Sequence, residues 1–166
     1  MQPEAVSSNN GSAWSFDHQP RTRIVFGPGS VDRVGELARG LGAKKILLVT
    51  DPGIAAAGHA ARVKNSLESA GLQVAVFDRA SENPSTRCVE DCVALARSAS
   101  IDTIVGVGGG SSMDTAKGCN FLFTNGGRMQ DYWGVGKATQ ELFHYRIMNK
   151  EHLQCRATLS VECEST

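Results

Sequence analysis

The segment from Ile101 to Gly118, IDTIVGVGGGSSMDTAKG, runs an apolar stretch straight into glycines and then into a helical pattern. Four of the five residues from Gly106 to Gly110 are glycine. Glycine inside regular structure costs about 0.5–1 kcal/mol relative to alanine, so such a run belongs where the backbone needs an unusual shape or a close neighbour. A strand, a glycine turn and a helix start in this order restrict the fold to a layered α/β arrangement. They also aim free helix N–H groups and the positive end of a helix dipole at one place, which suits a phosphate.

The rest of the chain repeats that alternation. RIVFG reads as a short strand closed by GPGS, with Ser30 as the cap of a helix whose apolar face carries Val31, Val34, Ala38 and Leu41. KKILLVTD has a continuous apolar centre, as expected of a strand covered on both faces. One helix is predicted over 53–70, with Ala56, Ala60, Val63 and Leu67 in a stripe, followed by the strand LQVAVF. ENPS makes a turn before a helix faced by Val89, Cys92, Val93 and Ala96, and IDTIVGV is the last clear strand. Strands alternating with helices imply βαβ units, a doubly wound parallel sheet of Rossmann-like type, and a site at the carboxyl ends of the strands. TDPG, SENPS and GGGSSMD are the three strand exits, and they should converge on one edge.

Three regions are expected: a flexible arm over 1–22, a dinucleotide-binding domain over 23–139, and a tail over 140–166. The arm is polar and without period. Lys plus Arg and Asp plus Glu number 17 each, so the chain lacks the basic excess that a nucleic acid or membrane surface normally meets. No run has the length of a membrane span, and the first twenty residues carry no Lys or Arg, so a cytoplasmic protein is expected. The five cysteines are an odd set at irregular spacing, which argues for reduced thiols; Cys88 and Cys92, one turn apart, read as packing.

Within the glycine loop the match to G-x-G-x-x-G is imperfect, because Ser111 stands where the third glycine would be, and Lys117 lacks a P-loop context. A purely structural reading also exists: Ser111 and Asp114 have capping-box spacing. Asp51, at a strand end, either accepts ribose hydroxyls and repels a 2′-phosphate, favouring NAD over NADP, or only forms the TDPG turn. Asn83 and Pro84 build a turn, or Asn83 bonds a ribose or phosphate. Lys117 is a solvated helix charge or a phosphate partner. His18 and His59 lack partners at metal-ligand spacing.

VFGPGS, ILLVTDPGI, ENPS and above all GVGGGSSMDTAKG resemble the amino-terminal half of the iron-containing (group III) alcohol dehydrogenases, related to glycerol dehydrogenase and dehydroquinate synthase. The likeness runs from about Arg23 to Thr139. It implies an NAD(P)-dependent oxidoreductase, in which an alcohol gives a hydride to nicotinamide while iron or zinc polarises the oxygen. By that resemblance Gly109, Gly110 and Ser111 would hold the pyrophosphate, Asp114 would lie in the same loop, Asn83 would reach the cofactor and Asp51 would select the ribose. NAD is the expected cofactor, with NADP second, and the partner is a small alcohol or aldehyde.

After YWGVGKAT the sequence departs from that pattern. A family member is expected to continue into T-T-x-G-T-G-S-E and an all-helical domain bearing an aspartate and three histidines as metal ligands; here QELFHYRIMNKEHLQCRATLSVECEST follows. No catalytic residue and no metal ligand is therefore assigned, and the chain alone is expected to bind cofactor without turnover. A zinc set of His144, His152, Cys155 and Cys163 has gaps unlike those of structural zinc sites, and a truncated or frame-shifted coding sequence explains the tail better. ELFHYRIMNK could form one short helix. The alternatives are a stand-alone nucleotide-binding or regulatory module, or a nonfunctional product.

Overall fold

A computed structural model of the 166-residue chain describes residues 23–133, 137, 145–148 and 160–161. Its strands are β1 (Ile24–Val25), β2 (Lys45–Thr50), β3 (Gln73–Phe77), β4 (Thr103–Val107), β5 (Tyr145–Met148) and β6 (Ser160–Val161). They form one sheet in the order β1-β6-β5-β4-β2-β3, every pairing parallel. The helices are α1 (Val34–Gly40), α2 (Pro52–Ala56), α3 (His59–Ser69), α4 (Thr86–Ser98) and α5 (Gly110–Asn125), with 3₁₀ turns at Ser30–Arg33 and Met129–Tyr132.

The period of two in β2 divides its side chains between two cores. Ile46 and Leu48 join Val105 and Val107 of β4 under α1 and α3, against Val34, Leu37, Val63 and Leu67. Leu47 and Val49 face the other way, with Ile104 and Phe77, onto Val89, Cys92 and Ala96 of α4 and Ala116, Cys119 and Leu122 of α5. Each buried aliphatic side chain contributes about 1.5–3 kcal/mol, so the continuous apolar run of KILLVT is what a centrally placed parallel strand requires. The expected doubly wound α/β sheet is the observed one. Cys92 packs against Cys119 in the second core, and the hydrogen bond to Cys119 together with burial pushes the Cys92 thiol well above the ordinary range, so it stays a neutral packing group.

At the amino ends of the strands, the Asp102 carboxylate accepts the backbone N–H groups of Lys44 (3.1 and 3.2 Å) and Lys45 (3.1 Å). This tie sets β4 against β2 with Ile46 opposite Thr103 and Thr50 opposite Val107. Their carboxyl ends therefore finish level.

Three local expectations change. The helix predicted over 53–70 is two helices, because Gly58 takes a left-handed φ of 82° and ends the first before His59 starts the second. Ser30 does not cap a long helix; Gly29 is the N-cap of the 3₁₀ turn Ser30–Arg33, which leads into α1. The short helix suggested within ELFHYRIMNK is replaced at Tyr145–Met148 by a strand parallel to β4. Pairing there satisfies the backbone groups along β4, and an aromatic and a β-branched residue suit a strand better than a helix. The zinc set considered in the tail, and the arm over 1–22, lie outside the described residues.

Candidate functional site

The exits of β2, β3 and β4 meet around a cleft of about 480 Å³. Asp51 and Pro52 come from the first, Arg79, Ala80, Ser81 and Glu82 from the second, and Gly109 and Ser111 from the third. Three segments separated in sequence thus converge on one edge, because parallel strands in register deliver their following loops to the same side. A backbone bond from Ala80 N–H to Thr50 C=O (3.1 Å) holds the second exit against the first.

Asp51 is the N-cap of α2, its Oδ1 accepting the Ile54 N–H at 3.0 Å. Its Oδ2 accepts the hydroxyl of Ser112, on α5, at 2.9 Å. The turn-forming role of Asp51 is therefore real, and it leaves the carboxylate half-buried on the cleft wall, with acceptor capacity beyond these two bonds.

Gly108 has φ of 140°, and a Cβ there would lie 2.6 Å from Ser112 Oγ and 2.8 Å from Asp51 Oδ2. Only glycine lets the two side chains meet over the loop. Gly109 is the N-cap of α5, and no side chain caps this helix, as is also the case for α1 and α3, whereas Asp51 caps α2 and Ser85 caps α4 through the Cys88 N–H at 3.3 Å. The capping box considered for Ser111 and Asp114 is not formed: helix α5 starts earlier, at Gly110, and Asp114 instead faces Lys117 at 3.6 Å. Lys117, half-buried, is the partner of Asp114 in that pair.

Of the residues singled out from sequence, Asp51, Gly109 and Ser111 line the cleft, and Gly110 is the first residue of α5. Asn83 is exposed, next to the lining residue Glu82, and its φ of 49° turns the chain before Pro84. Asp114 lies one turn into α5, outside the lining. Sequence reasoning missed two residues. Arg79 lines the cleft with its guanidinium carbon 5.3 Å from the Phe77 ring centroid, and a cation just past a strand end was its only signal. Ser112 had none, since its partner lies 61 residues away.

A wider groove, about 770 Å³, lies between α1 and α3 and includes Asp32, Glu36, Arg39 and Arg62. It is remote from the strand exits and carries no glycine loop, so the smaller cleft is the site. Among the described residues no group of three or more His, Cys, Asp or Glu side chains could hold a metal ion, and no helix is long and apolar enough to cross a membrane.

Comparison with known proteins agrees with this fold. Alcohol dehydrogenase 4 of Saccharomyces cerevisiae strain YJM789 is 39% identical over 113 residues, which are 68% of this chain and 30% of that protein. The NAD-dependent methanol dehydrogenase of Bacillus methanolicus is 40% identical over 111 residues, 67% of this chain and 29% of that one. The crystal structure of a 1,3-propanediol oxidoreductase superposes with a TM-score of 0.82 at 30% identity, covering 90% of this chain and 46% of the other. The chain thus spans under a third of the length of these curated relatives. The family model described as iron-containing alcohol dehydrogenase matches residues 20–147, and the chain belongs to that family.

Proposed function

We propose that this chain binds NAD in the cleft at the strand exits, as the nucleotide-binding part of an alcohol dehydrogenase. The observation that carries the reading is the convergence of three strand exits on a glycine loop whose helix start has no side-chain cap. The cradle suits a pyrophosphate: a Cβ at Gly109 or Gly110 would meet no atom within 4 Å, so the backbone is open to a ligand on that side. Gly109, Gly110 and Ser111 present N–H groups to the pyrophosphate, and the α5 dipole favours its charge. Asp51 accepts the ribose hydroxyls and repels a 2′-phosphate, which favours NAD over NADP. Asn83, next to the lining residue Glu82, reaches the cofactor from the turn before Pro84, and Asp114, outside the lining, belongs to the same cofactor segment one turn into α5.

NAD supplies the hydride acceptor for a small alcohol substrate, or in reduced form the donor for an aldehyde. A relative is an NAD-dependent methanol dehydrogenase, and this supports NAD and a small alcohol here. The described residues offer no iron or zinc site, so no step is assigned to a metal in this chain. Hydride transfer belongs to the whole enzyme, and the contribution of these residues is to hold the nucleotide. The free described cysteines suit the reducing cytoplasm.

Calorimetric titration of the chain with NAD and NADP tests the reading. NAD binds more tightly than NADP, and Asp51→Gly narrows the gap chiefly by losing NAD affinity, since a hydrogen bond to a charged group is worth about 1.5–3 kcal/mol. Equal affinities in the unmutated chain, or a ratio untouched by Asp51→Gly, would leave Asp51 as a helix cap alone.

A further inference from the structure

Serine and threonine hydroxyls within a helix have a near partner available, the carbonyl one turn back. Thr115 takes that option with the Ser111 carbonyl at 2.9 Å, and Thr124 takes it with Asn120 at 2.7 Å. Ser112, on the same helix, does not. Its hydroxyl reaches across 61 residues of sequence to Asp51 Oδ2 at 2.9 Å, and the side chain is fully buried.

The other oxygen of Asp51 is fixed as well, by the Ile54 N–H at 3.0 Å. One donor alone would let a carboxylate swing about the remaining bond. Two donors on two different oxygens, one from α2 and one from α5, hold its plane and rotamer. Gly108 has no side chain that could come between them. Asp51 lines the cleft, and its carboxylate is thus held there in one orientation.

We infer that Ser112 is a positioning residue for cofactor choice: by holding the Asp51 carboxylate between α2 and α5, it makes Asp51 discriminate a free ribose hydroxyl pair from a 2′-phosphate. The inference rests on the proposed binding of NAD in this cleft. A carboxylate held in place accepts the ribose hydroxyls without first losing rotamer freedom, and it cannot turn aside from a phosphate. Without the Ser112 hydroxyl it can do the second and must pay for the first.

The test is calorimetry on the full chain with NAD, NADP and inorganic pyrophosphate, for the unmutated protein, Ser112→Ala, Asp51→Ala and the double variant. Ser112→Ala removes one oxygen from a buried site and leaves a side chain that fits. It weakens NAD by about fivefold to tenfold, as expected for one charge-assisted hydrogen bond acting indirectly, and strengthens NADP by a smaller factor because the freed carboxylate can turn aside, while pyrophosphate is unchanged. In the Asp51→Ala background the same substitution has no effect on NAD. Ser112→Thr, which keeps the hydroxyl, recovers part of the NAD preference. A NAD-to-NADP ratio unmoved by Ser112→Ala, or an equal loss for all three ligands, would overturn the inference and leave Ser112 as a loop-packing residue. Absence of NAD binding by the unmutated chain would instead overturn the cofactor reading itself, and the inference with it.

Discussion

The Gly35 N–H donates to Ser66 Oγ at 3.1 Å, and the hydroxyl in turn donates to the Asp32 carbonyl at 2.7 Å. Through these bonds α1 lies directly on α3, so closely that a Cβ at Gly35 would run into the Ser66 carbonyl. The contact closes the core formed by Val34, Leu37, Val63 and Leu67 on one face of the sheet.

Gly35→Ala should therefore destabilise the protein by about 1–3 kcal/mol, because backbone rather than a flexible side chain must give way. Alanine is a better helix former than glycine, so propensity alone predicts the opposite sign. Urea denaturation decides between them: an unchanged or raised midpoint would mean that the two helices can separate at little cost.

Much of this fold is legible because parallel strands bury both faces, and a run such as KILLVT announces itself without alternation. The convergence of TDPG, SENPS and GGGSSMD follows from strand direction alone, and the cleft forms where those exits meet. Local exceptions were harder to read. Gly58 looks like any helical glycine until its positive φ splits 53–70 into two helices. ELFHYRIMNK carries no period that separates a short helix from a strand, and the free edge of β4 decides the outcome at Tyr145–Met148. Ser111 and Asp114 matched a capping box, but α5 starts at Gly110 and the spacing is fortuitous. The Ser112 bond to Asp51 is a tertiary contact over a glycine, and no spacing rule contains it.

Adjacent glycines in the loop should respond differently to substitution. Gly108→Ala meets Ser112 Oγ and Asp51 Oδ2 at a φ of 140°, and should cost about 1–3 kcal/mol of stability. Gly109 is extended, with φ of −84°, and nothing lies within 4 Å of a Cβ there. Gly109→Val should cost less stability than Gly108→Ala, about 1 kcal/mol or less from the poorer N-cap, and still weaken NAD by about tenfold or more, because its side chain would occupy the pyrophosphate's place. Thermal melts and calorimetry on both variants separate the two effects. Equal losses of stability would contradict the assignment of the open side of Gly109 to a ligand.

Thr50, the last residue of β2, is fully buried, and its hydroxyl has no hydrogen-bond partner among the described residues. Valine has nearly the same shape and no polar atom to desolvate. Thr50→Val should raise stability by about 1 kcal/mol while leaving the strand pairing intact. A lowered denaturation midpoint would show that the hydroxyl is bonded in solution, by water or by part of the chain outside the described residues.

A final prediction concerns acid stability through Asp32. Its carboxylate receives two bonds from the Arg62 guanidinium, at 2.7 and 2.8 Å, which join the Ser30–Arg33 turn to α3. The hydrogen bond from Arg62 holds the carboxyl below its ordinary value of 3.8; burial opposes this slightly, and the charge of Arg62 adds to it. A folded-state value below the unfolded one means that the unfolded chain takes up the proton first as pH falls. The contribution of the pair is therefore present above 3.8 and is lost as pH drops through the lower folded value. Both side chains are largely exposed, so the effect is modest and screened by salt. Asp32→Asn should lower the urea midpoint by a constant amount between about pH 5 and pH 7, and by progressively less in more acidic solution, with the difference shrinking in about 1 M salt. A gap that persists undiminished at low pH would mean that the carboxylate's charge contributes nothing and that the geometry of the turn alone holds α3 in place.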